Sequence, residues 1–123
     1  TPGFDESVVT WSLEQGVPIF PGVATPMEIN MALKHGLNVL KFFPAQALGG
    51  VSTLKAIAAP YGGVRFIPTG GINQNNVNDY LAFNKVLACG GSWLTPASAM
   101  GEALLKRLKD NAGLSFKILE DDS

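Results

Sequence analysis

Short apolar runs alternate with longer stretches of helical periodicity along this chain. Four apolar segments, 17–23, 39–43, 64–68 and 85–89, each have the length of a strand buried on both faces. Residues 6–15, 26–34, 52–59 and 76–82 lie between them with apolar positions at helical spacing, and 97–111 follows the last run. The sequence Thr25-Pro26-Met27-Glu28 places a threonine N-cap, a proline at the first helical position and a glutamate at N3, which predicts a capping box. Gly16, Gly36 and Gly113 stand where helices are expected to stop. Successive strands start roughly two dozen residues apart. That spacing leaves room for one crossover helix each, so the strands are expected to be parallel with right-handed connections.

Such repetition suits an α/β fold of the (β/α)8 barrel type or a doubly wound sheet. A full barrel takes ~200 to 250 residues, so 123 residues supply about half of one, whereas a small flavodoxin-like sheet fits the length directly. One domain spanning 1–123 is expected, since 46% hydrophobic residues are enough for a single core. The opening Thr1-Pro2-Gly3-Phe4 reads as a loop leaving a strand, as though the chain begins within a domain, and the acidic tail 120–122 reads as frayed.

Charge narrows the function classes. The net charge is −1, and two arginines and seven lysines are scattered rather than gathered into a stripe, which argues against nucleic acid as a partner. The lone Cys89 sits in an apolar run, as a buried free thiol does, and no stretch approaches the ~20 apolar residues of a membrane span. A soluble, cytoplasmic protein is the expectation. No pair of His, Cys or acidic residues has metal-ligand spacing, and neither a P-loop nor Gly-x-Gly-x-x-Gly is present, so no metal or nucleotide cofactor is called for.

Lys41 is the most informative residue. It is the only charge between Lys34 and Lys55, and it lies inside the apolar segment 37–44. Alternation with period two puts Val39, Lys41 and Phe43 on one face, the lumen in a barrel, and Leu40 and Phe42 on the other. A lysine held against phenylalanines near the C-terminal end of a strand is placed to attack a carbonyl as the free amine, which is what imine formation requires. The plainer reading is an edge lysine that snorkels to water. Two glycine doublets end the last two strands, in Pro68-Thr69-Gly70-Gly71-Ile72 and Cys89-Gly90-Gly91-Ser92-Trp93. Glycine lets backbone N–H groups approach an anion, and loops after the seventh and eighth strands of barrels commonly hold phosphate. Pro21-Gly22 reads as a strand-ending turn, His35 as a helix-end residue, and Trp11 and Trp93 as packing residues.

Phe20-Pro21-Gly22-Val23, Lys41-Phe42-Phe43-Pro44-Ala45, Arg65-Phe66-Ile67-Pro68-Thr69-Gly70-Gly71-Ile72 and Gly90-Gly91-Ser92-Trp93-Leu94 together resemble the second half of the KDPG (2-keto-3-deoxy-6-phosphogluconate) and 4-hydroxy-2-oxoglutarate aldolase family. The resemblance runs from about Thr1 to Pro96 and implies strands five to eight of a (β/α)8 barrel. It implies a class I lyase that cleaves a phosphorylated 2-keto-3-deoxy sugar acid to pyruvate and glyceraldehyde 3-phosphate, as in the Entner-Doudoroff route, without a cofactor. Lys41 resembles the Schiff-base lysine, Phe43 the aromatic of the pyruvate pocket, and Thr69 a substrate-holding threonine. Gly70, Gly71, Gly91 and Ser92 resemble the phosphate cradle. Gln46 departs from the usual glutamate after Phe-Pro-Ala, the tail from about Met100 does not follow the expected closing helix, and the family's general-base glutamate and carboxylate-binding arginine lie on earlier strands. The alternatives are another phosphate-binding barrel, such as an epimerase or a thiamin-phosphate synthase-like enzyme, and an inactive half-barrel. The family implies a trimer. Four strands cut from a barrel expose two edges, so half-barrels alone are expected to pair, unless a longer chain completes the ring.

Overall fold

The computed structural model describes residues 1–94 and Asp110. Its elements are α1 (Glu6–Glu14), β1 (Gly22–Val23), α2 (Pro26–Lys34), β2 (Val39–Phe42), α3 (Gly50–Ala58), β3 (Arg65–Pro68) and α4 (Val77–Leu81), followed by a 3₁₀ turn at Ser92–Leu94. The strands form one parallel sheet in the order β1-β2-β3. Gly22 stands opposite Lys41, and Lys41 opposite Ile67. Strand and helix alternate as the pattern of apolar runs predicts. The expected helix over 97–111, the stop at Gly113 and the tail lie outside the described residues.

Local chemistry explains the helix boundaries. The Asp5 carboxylate accepts from the backbone N–H groups of Ser7 (3.0 Å) and Val8 (3.2 Å), satisfying donors that the first turn of α1 leaves free. The predicted capping box is present on α2: Thr25 Oγ1 accepts from Glu28 N, and the Glu28 carboxylate accepts from Thr25 N at 2.8 Å. Gly16 (φ +66°) and Gly36 (φ +75°) stop α1 and α2 in the left-handed region that glycine adopts freely.

The core lies between the sheet and α2, α3 and α4. Leu40, Phe42, Val64 and Phe66 from the strand segments meet Ile29 and Ala32 from α2, Leu54 and Ala58 from α3, and Val77 and Tyr80 from α4, all in one buried cluster. Burial of β2 alternates, with Leu40 and Phe42 buried and Val39 and Lys41 half-buried. That is the alternation read from the sequence.

Two expected strands come out shorter. Of 17–23 only Gly22–Val23 is ladder-paired. Pro18 and Pro21 have no N–H to give, and Pro21 contributes only its carbonyl, which accepts from Lys41 N at 2.9 Å. The segment 85–89 is no continuous strand either, but two isolated parallel bridges, Phe66 to Val86 and Thr69 to Gly90. Three steps separate the bridge positions on one side and four on the other, so one residue is extra and the ladder breaks at a bulge. Val86 is buried, while Leu87 is 48% exposed rather than buried as a two-sided strand requires. Trp11 likewise departs from its packing assignment, being 59% exposed on α1, whereas Trp93 packs against the core.

Candidate active site

The C-terminal ends of β2 and β3 and the segment leading to Gly90 converge on one side of the sheet. A pocket of about 410 Å³ opens there between Pro18, Ile19, Phe20, Lys41, Ile67 and Thr69. Lys41 and Thr69, nominated separately from the sequence, thus line one cavity. Phe43 does not line it. Its ring lies 4.9 Å from Lys41 Nζ, close enough for a cation–π contact that steadies the lysine side chain. Phe20, at the same strand face as Gly22 and Lys41, is 47% exposed and supplies an apolar wall that sequence reasoning assigned only to a motif. Gly22 leaves no room for more, because a Cβ there would stand 1.9 Å from the carbonyl oxygen of Pro2.

The two glycine doublets meet. Gly90 pairs with Thr69, and a Cβ on Gly90 would come within 2.7 Å of Thr69 Oγ1. A Cβ on Gly91 would overlap the Trp93 ring at 1.7 Å and lie 3.0 Å from the Ile72 carbonyl, so a side chain there would require the ring to move. Ser92 begins that turn and is exposed.

Orientation of the peptides after Thr69 follows from three hydrogen bonds. Thr69 O accepts from Ala45 N (2.8 Å), Gly70 O from Gln46 N (3.0 Å) and Gly71 O from Asn76 Nδ2 (3.0 Å). In a planar trans peptide the N–H points opposite to the C=O. Holding the Gly70 and Gly71 carbonyls against residues 46 and 76 therefore aims the N–H groups of Gly71 and Ile72 the other way. Adjacent N–H groups in a glycine turn are candidate donors to an anion. Ile72 was not among the residues nominated from sequence, because a backbone donor carries no side-chain signal. His35 is engaged elsewhere, 3.2 Å from a Glu6 carboxylate oxygen at the end of α2. Cys89 is a free thiol, half-buried, and burial pushes its pKa up to about 12. Among the described residues no three His, Cys, Asp or Glu side chains cluster as metal ligands, and no helix is long and apolar enough to cross a membrane.

A parallel sheet covered by helices, with an amine in a partly apolar pocket at its strand ends, is an α/β protein, and its solved neighbours are of the TIM-barrel type. The family model for KDPG and KHG aldolase matches residues 1–110, and the chain belongs to that family. It is 53% identical over 100 residues to the 2-dehydro-3-deoxy-phosphogluconate aldolase of Treponema pallidum (strain Nichols), covering 81% of this chain and 48% of that protein. The 2-keto-3-deoxy-6-phospho-gluconate aldolase of Zymomonas mobilis ATCC 29191 superposes with a TM-score of 0.86 at 33% identity, covering 94% of this chain and 54% of that one. The KDPG aldolase of Legionella pneumophila, solved with pyruvate captured at low pH as a covalent carbinolamine intermediate, gives 0.76 at 37% identity over 96% of this chain and 54% of that one. The chain spans about half the length of the relatives it matches.

Proposed function

We propose that this chain carries the imine-forming and phosphate-holding half of a class I aldolase that cleaves KDPG to pyruvate and glyceraldehyde 3-phosphate. The observation that carries the reading is Lys41 in one pocket with Thr69, at the mouth where the glycine turns meet. The Lys41 amine adds to the C2 carbonyl and loses water to form an iminium. The C3–C4 bond then breaks, its electron pair enters the iminium to leave an enamine, and the C4 hydroxyl proton goes to a base. Protonation at C3 and hydrolysis release pyruvate and regenerate the amine.

Each residue has a role in this scheme. Phe43 steadies Lys41, Thr69 offers a hydroxyl to the bound keto acid, and Gly70, Gly71, Gly91 and Ser92, with Ile72, surround the phosphate. No carboxylate among the described residues lines the Lys41 pocket. The proton therefore passes to water or to a group beyond these residues, and loss of a positioned base costs ~10²- to 10⁴-fold in rate. The three strands and the segment leading to Gly90 correspond to strands five to eight of the barrel, residues 1–123 form the C-terminal portion of that single domain, and the protein works in the cytoplasm as a homo-oligomer.

Borohydride reduction in the presence of pyruvate tests the central step. A stable pyruvyl adduct at Lys41 is expected by mass spectrometry, and an unmodified protein would remove the Schiff-base reading and return the epimerase-type barrel to the front. A panel of gluconate-derived, galactonate-derived and hydroxy-oxoglutarate substrates assigns the preferred keto acid.

A further inference from the structure

The Gly70-Gly71 turn is held by side chains of two segments that lie outside the pocket. From one segment, Asn76 uses both ends of its amide: Nδ2 donates to Gly71 O at 3.0 Å and Oδ1 accepts from Asn73 N at 2.8 Å. A planar amide engaged at both ends has a single orientation, and only a side chain with a donor and an acceptor can bridge these two groups. From a second segment, Gln46 lies against the turn. A Cβ on Gly71 would stand 2.6 Å from Gln46 Cβ. The Gln46 Oε1 in turn accepts at 2.8 Å from the hydroxyl of Tyr80, a side chain only 1% exposed. Gly50 packs beside this pair, where a Cβ would lie 3.3 Å from Gln46 Oε1 and 3.4 Å from the Tyr80 oxygen.

We infer that Asn76 is a positioning residue for the anion-binding turn: by holding the Gly71 carbonyl it fixes the plane of the peptide that offers the Ile72 N–H to the phosphate, with the Tyr80–Gln46 pair packed against Gly71 as a second support. The inference rests on the proposed phosphate site and adds to it the residues that set its geometry. Neither Asn76 nor Tyr80 touches the anion. Both act through the peptides of residues 70–72.

The test is titration of the ¹⁵N-labelled chain with inorganic phosphate, following the amide resonances of Gly71 and Ile72. In the unsubstituted protein both move and saturate together. Asn76→Ser keeps an oxygen acceptor for Asn73 N–H but is too short to reach Gly71 O, so phosphate affinity falls about tenfold and the Ile72 displacement at saturation shrinks. Tyr80→Phe gives a smaller loss, about threefold, because it loosens the turn through one more side chain. A merely structural role at the start of α4 predicts instead a lower melting temperature with the Ile72 response unchanged. Unaltered affinity and an unaltered Ile72 displacement in Asn76→Ser would overturn the inference, and the same result in Tyr80→Phe decides it should the serine variant not fold. No response in the unsubstituted protein is a different failure, that of the phosphate site itself, and takes this inference with it.

Discussion

On one face of β2 and β3, Leu40, Phe42 and Phe66 are fully buried among residues of α2, α3 and α4, while on the other face Lys41, Ile67 and Thr69 border an open pocket. The two sets are interleaved one residue apart along the same strands. Folding energy is concentrated on the first face, where burying one phenylalanine or leucine side chain is worth about 1.5 to 3 kcal/mol. The second face spends little area on packing and keeps its polar groups accessible. Interleaving of this kind makes stability and chemistry separable by single substitutions at neighbouring positions.

The sharpest way to break that separation is to change the two neighbours in β2. Lys41→Ala is expected to abolish the borohydride adduct with pyruvate while shifting unfolding in urea by no more than about 0.5 kcal/mol. Phe42→Ala is expected to cost about 3 to 5 kcal/mol in the same unfolding measurement. Comparable destabilisation by both would show that the open face also holds the fold.

Gly71→Ala probes the border between the faces. Its φ of +72° and the 2.6 Å approach to Gln46 Cβ predict a loss of about 1 to 3 kcal/mol together with loss of the phosphate response in an amide titration. Retention of phosphate binding at full stability would mean that the turn tolerates a side chain. Thr25→Ala, remote from the pocket, is expected to cost about 1 kcal/mol through the capping box and to leave pyruvate trapping unchanged.

The smallest effect concerns acid. Hydrogen bonding from the Ser7 hydroxyl, then from Val8 N–H, holds the Asp5 carboxyl below its ordinary value. A depressed folded-state pKa contributes stability that is complete above the unfolded value and disappears as pH falls through the folded one. The first turn of α1 should therefore loosen at acid pH before the core does, and Asp5→Asn should flatten that dependence in amide exchange measured across the acid range. An equally acid-sensitive α1 in the asparagine variant would assign the effect to other groups.

The alternation in β2, the capping box at Thr25 and the glycine stops were legible because each rests on neighbours in sequence. Lys41 stood out as a charge in an apolar run, and the doublets after β3 and after Cys89 as glycines at strand ends. What escaped was set by partners distant in the chain. The exposure of Trp11 depends on which face of α1 is covered, the one carrying Val9 and Ser12. The grip of Asn76 on Gly71 joins the start of an expected helix to an expected anion-binding turn with no signal that the two touch, and Phe20 became a pocket wall only once β1 was set beside Lys41. The tenure of the seven nominated residues in catalysis rests on the trapping and titration experiments.

The extra residue between Val86 and Gly90 can be viewed as a shift in reading frame. With equal spacing on the two sides, position 89 rather than 90 would stand opposite Thr69, and the thiol of Cys89 would be carried from its half-buried place toward the pocket. There is space for no side chain at that point, since even a Cβ would press within 2.7 Å of Thr69 Oγ1. The bulge thus sets a glycine rather than a cysteine opposite Thr69. Length at this place is as consequential as identity: deleting Ala88 would remove the extra residue and bring Gly90 opposite Thr69 at equal spacing, whereas a regular ladder through the present sequence would set Cys89 there.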